Sequence, residues 1–174
     1  MSHDFDIENQ VNRIENKDIQ SFINSLHSGD LVEVYTDGSC MGNPGPGGWG
    51  AVFLYNNQRS ILSGFEEKTT NNRMELRAAL EAVSILPSLI NVHMYTDSEY
   101  LRNGITMWVY SWIKNRWRTQ DNKPVKNKDL WIPLYDINEN RSITWHWVKG
   151  HSNCVNNENA DFIARSAILN NIKK

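Results

Sequence analysis

The chain is predicted to be an α/β protein built on one mixed sheet flanked by helices. Three observations predict this. Three β-rich stretches come first, and helical stretches then alternate with further strands. That order gives an antiparallel meander followed by parallel strands reached through helical crossovers. The length of 174 residues suits one domain, or one domain plus an extension. Hydrophobic residues at 40% and charged residues at 22% are ordinary for a globular fold with a conventional core.

Residues 1–30 read as an acidic N-terminal extension, partly helical or disordered. Ile19, Phe22, Ile23 and Leu26 recur at helical spacing, with Asp18 as N-cap and Gly29 as stop. Ile7, Val11 and Ile14 form a weaker stripe. A short helix packed on the domain, a frayed tail and a partner-docking helix all remain open. The domain proper, 31–174, begins with "LVEVYT", a strand that should end at Asp37. "WGAVFLY" and "RSILSGF" make two more strands around a short turn. "TTNNRMELRAALEAVSIL" is strongly helical, with Met74, Ala78, Leu80, Ala82 and Val83 on one broad face and Pro87 ending it. "INVHMYT" is the fourth strand. "SEYLRNGI" and "MWVYSWIKN" should be two short helices hinged near Gly104. A polar basic loop follows, then a helix in "DLWIPLYDI" that Pro133 should kink or shorten. "SITWHWV" is the fifth strand. The last helix is "NENADFIARSAIL", with Ala160, Ile163, Ala164, Ala167 and Ile168 facing the core.

Charge is unevenly spread. The net charge is −2, with −4 in residues 1–30 and therefore +2 in the remainder. Lys114, Arg116, Arg118, Lys123, Lys126 and Lys128 stand against Asp121 alone in residues 113–128. No apolar run approaches the ~18 residues needed to cross a membrane, and the acidic start is neither a secretory signal nor a transit peptide. Cys40 and Cys154 make no disulfide framework, and a reducing cytoplasm is expected.

Two strands run into the same tripeptide, "VYTDGS" at Asp37 and "MYTDSE" at Asp97. If the strands are adjacent and parallel, the carboxylates emerge side by side. Carboxylates that close repel, and a divalent cation removes the conflict. Each also has a bland reading as a turn-starting or capping aspartate. Glu75 fits a capping box begun by Asn72. Asp161, near the apolar side of the last helix, fits a salt bridge or a cap. Gly45-x-Gly47-x-x-Gly50 matches a dinucleotide fingerprint by spacing, but a strand pattern follows where a helix is required, so that reading is rejected. His151 and Cys154 lack the second pair that a zinc knuckle needs.

"YTDGSCMGNPGPGGWGA", "TTNNRMEL", "YTDSEY", "WVKGH" followed by "NENAD", and "KPVKNKDLW" together resemble the type 1, bacterial-like cellular ribonucleases H. The motifs keep the family's order across roughly residues 31–170. The resemblance implies a ribonuclease H-like fold: a five-stranded mixed sheet, three antiparallel strands then two parallel ones, flanked by helices. It implies cleavage of the RNA strand in an RNA–DNA hybrid, with two Mg2+ ions per active site and Mn2+ as the substitute. Asp37, Glu75, Asp97 and Asp161 would be the metal-binding acids, and His151 the loop histidine that moves a proton or assists product release. The backbone near Gly38 and Cys40, with Asn43, Asn71, Glu75 and Glu99, would meet the RNA strand, Asn72 would also bind substrate, and Lys68, Thr70 and Asn127 would hold a phosphate of the DNA strand. Thr70 is also a helix-cap candidate.

Residues 107–128 correspond to the family's basic protrusion. Trp108, Trp112 and Trp117 are read first as hinge packing, with direct packing on DNA sugars as the alternative, Trp108 being the one taken as a substrate contact. Glu99 stands where glutamine is common, and "HSNCVNNENAD" replaces a loop bearing glycine, histidine and proline. A monomer, a hybrid partner and no membrane association are expected. Two other readings are kept: a non-catalytic hybrid-binding module, and another nucleic-acid enzyme of the same fold.

Overall fold

The computed structural model describes residues 14–150 and 154–172. The stripe at Ile7 and Val11 lies outside the described residues. One six-stranded sheet has the order β1-β4-β3-β2-β5-β6. Its long strands are β2 (Leu31–Cys40), β3 (Gly45–Tyr55) and β4 (Gln58–Thr69). β5 (Asn91–Thr96) and β6 (Ser142–Trp147) complete the five expected from sequence. The sixth is β1, the two residues Glu15–Asn16, pairing parallel to β4 at the far edge. A pair this short carries no hydrophobic alternation, which is why a pattern search yields five strands. β2–β3 and β3–β4 are antiparallel, and β2–β5 and β5–β6 parallel.

β2 does not stop at Asp37. It runs on to Cys40, because β3 stays paired beyond that point, with Asp37 opposite Gly50 and Cys40 opposite Gly47. Only the parallel partner β5 ends early, at Thr96. Alternation puts Val32, Val34, Thr36 and Gly38 on one sheet face and Glu33, Tyr35 and Asp37 on the other. The first face packs against α2 (Asn71–Ile85), and α5 (Lys128–Asn140) lies on α2. The second packs against α6 (Val155–Ile172) across β3, β2 and β4.

α2 buries a wider face than its apolar stripe, Ala79 and Leu76 included, because it is covered by the sheet and by α5. Its N-cap is Thr70, whose hydroxyl accepts from Arg73 N–H at 3.3 Å. The capping box from Asn72 is thus corrected: Asn72 is already inside the helix, and Glu75 is turned inward and buried. The hinge near Gly104 is also corrected. α3 (Glu99–Asn103), a π-helical turn (Gly104–Trp108) and α4 (Val109–Lys114) follow without a break. Gly104 is helical, and a Cβ there would overlap the indole of Trp131. The glycine serves close packing rather than bending. α5 passes through Pro133 uninterrupted. The bond Pro133 forgoes would reach the carbonyl of Asp129, an exposed residue in the first turn of α5.

α1 (Ile19–Asn24) is capped by Asp18 and places Phe22, fully buried, in the main core, its ring centroid 6.0 Å from that of Phe53. Among the described residues no helix is long and apolar enough to cross a membrane. Phe22→Ala is expected to cost about 3–4 kcal/mol of folding stability, read by urea unfolding.

Candidate active site

The parallel pairing of β2 with β5 ends at Tyr35 opposite Tyr95, whose rings stack with centroids 4.4 Å apart. Asp37 and Asp97 each lie two residues further on. Equal offsets from one paired row put both side chains on the same face at the same end. Glu75 arrives from the opposite face. The start of α2 presses on β2 at Gly38, where a Cβ would overlap the backbone of Met74 and Glu75. Any larger residue would push Glu75 away.

The outcome is a cluster in which carboxylate oxygens of Asp37, Glu75 and Asp97 all lie within 4.8 Å of one another. Asp37 and Glu75 are only 6% and 5% exposed. The Gly38 N–H donates to Asp37 Oδ1 at 2.9 Å. Glu75 Oε2 is buried without a hydrogen-bond partner. Burial, and then the Asp97 charge, push the Asp37 carboxyl up to about 7. Burial and the Asp37 charge raise Glu75 well above the ordinary carboxylate range. Three crowded oxygen donors, one of them unsatisfied, fit a hard divalent cation.

Asp161 stands apart from this trio. It lines the same cleft, of about 230 Å³, with Asp37, Gly38, Asn71 and Asp97, but its carboxylate is paired to Arg165 one turn on at 2.7 Å. That salt bridge is one of the bland readings its sequence allowed. The cleft also contains Ser39, Glu158 and the buried Asn157, whose Oδ1 lacks a partner. None of these three stood out from sequence. Asn157 had a signal: it lies three residues before Ala160 on the inward stripe of α6. His151 lies outside the described residues. Gly150 points its missing Cβ at Asp97, 3.3 Å from Oδ2.

Around this centre Asn71 and Asn72 begin α2, and both are exposed. Glu99 is exposed in the first turn of α3. Asn43 is exposed in the β2–β3 turn, and the Cys40 thiol donates to the carbonyls of Gly45 and Thr69 at 3.5 and 3.4 Å. Lys68 is exposed beside the cap residue Thr70. Asn127 has a left-handed backbone, φ 62°. Its amide accepts from Arg73 at 3.2 Å and donates to the Tyr100 hydroxyl at 3.0 Å. Arg73 is itself clamped by both oxygens of Asp129.

Lys114, Arg116, Arg118, Lys123, Lys126 and Lys128 are all exposed. The segment that bears them is anchored by rings. Trp112 packs on Trp108, Trp117 and Trp131 at centroid distances of 5.3–6.1 Å. Trp108 also meets Tyr100 and keeps 38% of its surface exposed.

A ribonuclease H family model matches residues 29–169. The chain belongs to the ribonuclease H family. The ribonuclease H of Nitrosococcus oceani is 51% identical over 145 residues, covering 83% of this chain and 99% of that one. Among solved structures, LC9-RNase H1, a type 1 enzyme with the type 2 active-site motif, is similar at TM-score 0.72 and 32% identity. That match covers 84% of this chain and 75% of LC9-RNase H1. LC11-RNase H1, solved in complex with an RNA/DNA hybrid, shares the fold at TM-score 0.60 and 22% identity, over 81% of this chain and 99% of that one. Membership makes this chain a hydrolase of the ribonuclease H type, and it supports the type 1, bacterial-like assignment.

The trio has a thermodynamic signature. A carboxyl raised in the folded state holds a proton the unfolded state has lost, so stability falls as pH climbs from ~4 toward 7. Without metal, Asp37→Asn is expected to stabilise the fold on the order of 2–4 kcal/mol at pH 8 and hardly at all at pH 4, read by thermal melts at the two pH values.

Proposed function

We propose that the chain is an endonuclease that hydrolyses the RNA strand of RNA–DNA hybrids, leaving 5′-phosphate and 3′-hydroxyl ends. The observation that carries this reading is the trio of Asp37, Glu75 and Asp97 within 4.8 Å, the first two buried and the third half-buried, in a member of this family. These three residues, with Asp161 at the rim, would hold two magnesium ions. When bound, such ions lower the pKa of a water nucleophile and neutralise charge on the phosphate and leaving oxygen.

The chain's own groups supply position and proton handling. The Gly38 N–H fixes Asp37, and α2 holds Glu75 against it. Asp161 is tethered to Arg165 and exposed enough to turn into the cleft. Histidine is the residue type suited to exchange a proton near neutral pH, and His151, assigned from its motif, would carry a proton to or from the reacting phosphate. The RNA 2′-hydroxyls would be read in the wide minor groove by the backbone at Gly38 and Cys40 with Asn43, Asn71, Asn72 and Glu99. Lys68, Thr70 and Asn127 would grip a DNA phosphate, Asn127 being held ready by Arg73 and Tyr100. The ring-anchored basic segment would bind flanking phosphates, with Trp108 at its edge. Residues 31–174 would carry catalysis and residues 1–30 act as an extension, in a monomeric, cytoplasmic enzyme.

Matched RNA–DNA, RNA–RNA and DNA–DNA duplexes test this with magnesium present. Only the hybrid should be cut, and only in its RNA strand. Asp37→Asn and Asp97→Asn should each lose at least ~10³-fold in kcat. Asp161→Asn and His151→Ala should lose less, since a rim ligand and a proton shuttle are partly replaceable. Equal cutting of all three duplexes, or hybrid binding without cutting, would contradict the reading. Replacing Arg116 and Arg118 together by alanine should raise KM and flatten its salt dependence, leaving kcat nearly unchanged.

A further inference from the structure

The sheet face that bears Asp37 and Asp97 continues away from them as a row of rings. Tyr95 stacks between Tyr35 and His146, at centroid distances of 4.4 and 4.6 Å. One row further back, on the same face of β5, lies His93. Its Nδ1 is 3.0 Å from Nε2 of His146, with ring centroids 4.8 Å apart and planes inclined at 40°. Both histidines are half-buried on neighbouring parallel strands.

We propose that His93 and His146 form a chelating site for a divalent transition-metal ion of the nickel, copper or zinc class, distinct from the carboxylate cluster. The geometry favours chelation over a simple hydrogen bond. Rings pointing head-on across an N–H···N bond of this length would hold their centroids roughly 5.3 Å apart. Rings ligating one ion at right angles, each nitrogen ~2.1 Å from it, would have nitrogens ~3.0 Å and centroids ~4.6 Å apart. The observed pair lies close to the second arrangement.

The donor chemistry separates the two sites. Imidazole nitrogen selects borderline transition metals, whereas the all-carboxylate trio suits magnesium. The surroundings also favour a cation. Glu33 is the register partner of His93 across β2–β5, which puts a carboxylate on the same sheet face. Strand pairing pre-sets both rings, so binding requires no strand to move. An ion held there pins the edge strand β6 to β5, just ahead of the segment that brings Gly150 to Asp97.

Equilibrium dialysis against Ni2+ tests the site, using tag-free chain that carries His3→Gln and Asp37→Asn, in excess Mg2+, so that the amino-terminal histidine cannot chelate the ion. The expected result is one retained Ni2+ per chain. Adding His93→Gln or His146→Gln should weaken binding about tenfold or more, while adding His27→Gln or His151→Gln should not. No retained Ni2+, retention indifferent to both strand histidines, or loss on His151→Gln would overturn the proposal. Should either glutamine variant fail to fold, Cu2+ bound to the chain that carries only His3→Gln and Asp37→Asn decides by electron paramagnetic resonance. Coupling to two nitrogens supports the site, and oxygen-only ligation refutes it.

Discussion

Three carboxylates share one poorly solvated corner of this fold, and their mutual repulsion is the constraint that the rest of the molecule answers. Left alone, such groups would separate or take up protons, and Asp37 and Glu75 are indeed pushed toward protonation. They remain together because each is fixed by something other than its own charge. Asp37 lies within β2 and Asp97 just beyond β5, two strands locked in parallel register. Glu75 rides on a helix whose start is docked against the backbone of β2. The site therefore lowers stability at neutral pH, and the scaffold must outweigh that loss.

The scaffold does so by close approach. Gly48 and Gly50 in β3 let α6 settle with its backbone against the strand, since a Cβ at either would overlap α6 around Ala164 and Ala160. Asp161 and Asn157 thereby come to the mouth of the cleft. On the other face α2 is enclosed between the sheet and α5. Beyond it, Trp108, Trp112, Trp117 and Trp131 pack together and anchor the basic segment. The glycine-rich stretch that mimics a dinucleotide fingerprint is thus a strand built to be crossed closely by a helix.

Much of this was legible in the sequence. The repeated Tyr-Thr-Asp announced two carboxylates at matching positions on adjacent parallel strands, though only β5 ends there, and the change from strand-only to alternating elements announced the mixed sheet. What escaped reading depended on neighbours. The extension of β2 to Cys40 reflects its pairing with β3, which no single-strand pattern encodes. The inward turn of Glu75, in place of capping, reflects the burial of α2 on two sides. Gly104 read as a hinge because its partner, Trp131, lies on another helix. The Asp161–Arg165 pair was visible as an i, i+4 spacing, but only the fold shows that the fourth acid lines the cleft of the trio while paired to Arg165. The two strand histidines are far apart in sequence and become neighbours only through the β5–β6 register.

The account rests on the buried carboxylates forming a cation site, and anomalous diffraction from crystals soaked in Mn2+ measures this most directly. The account predicts a strong anomalous peak among the oxygens of Asp37, Glu75 and Asp97, absent from crystals of Asp37→Asn. A peak only elsewhere, or one that survives that substitution unchanged, would contradict it.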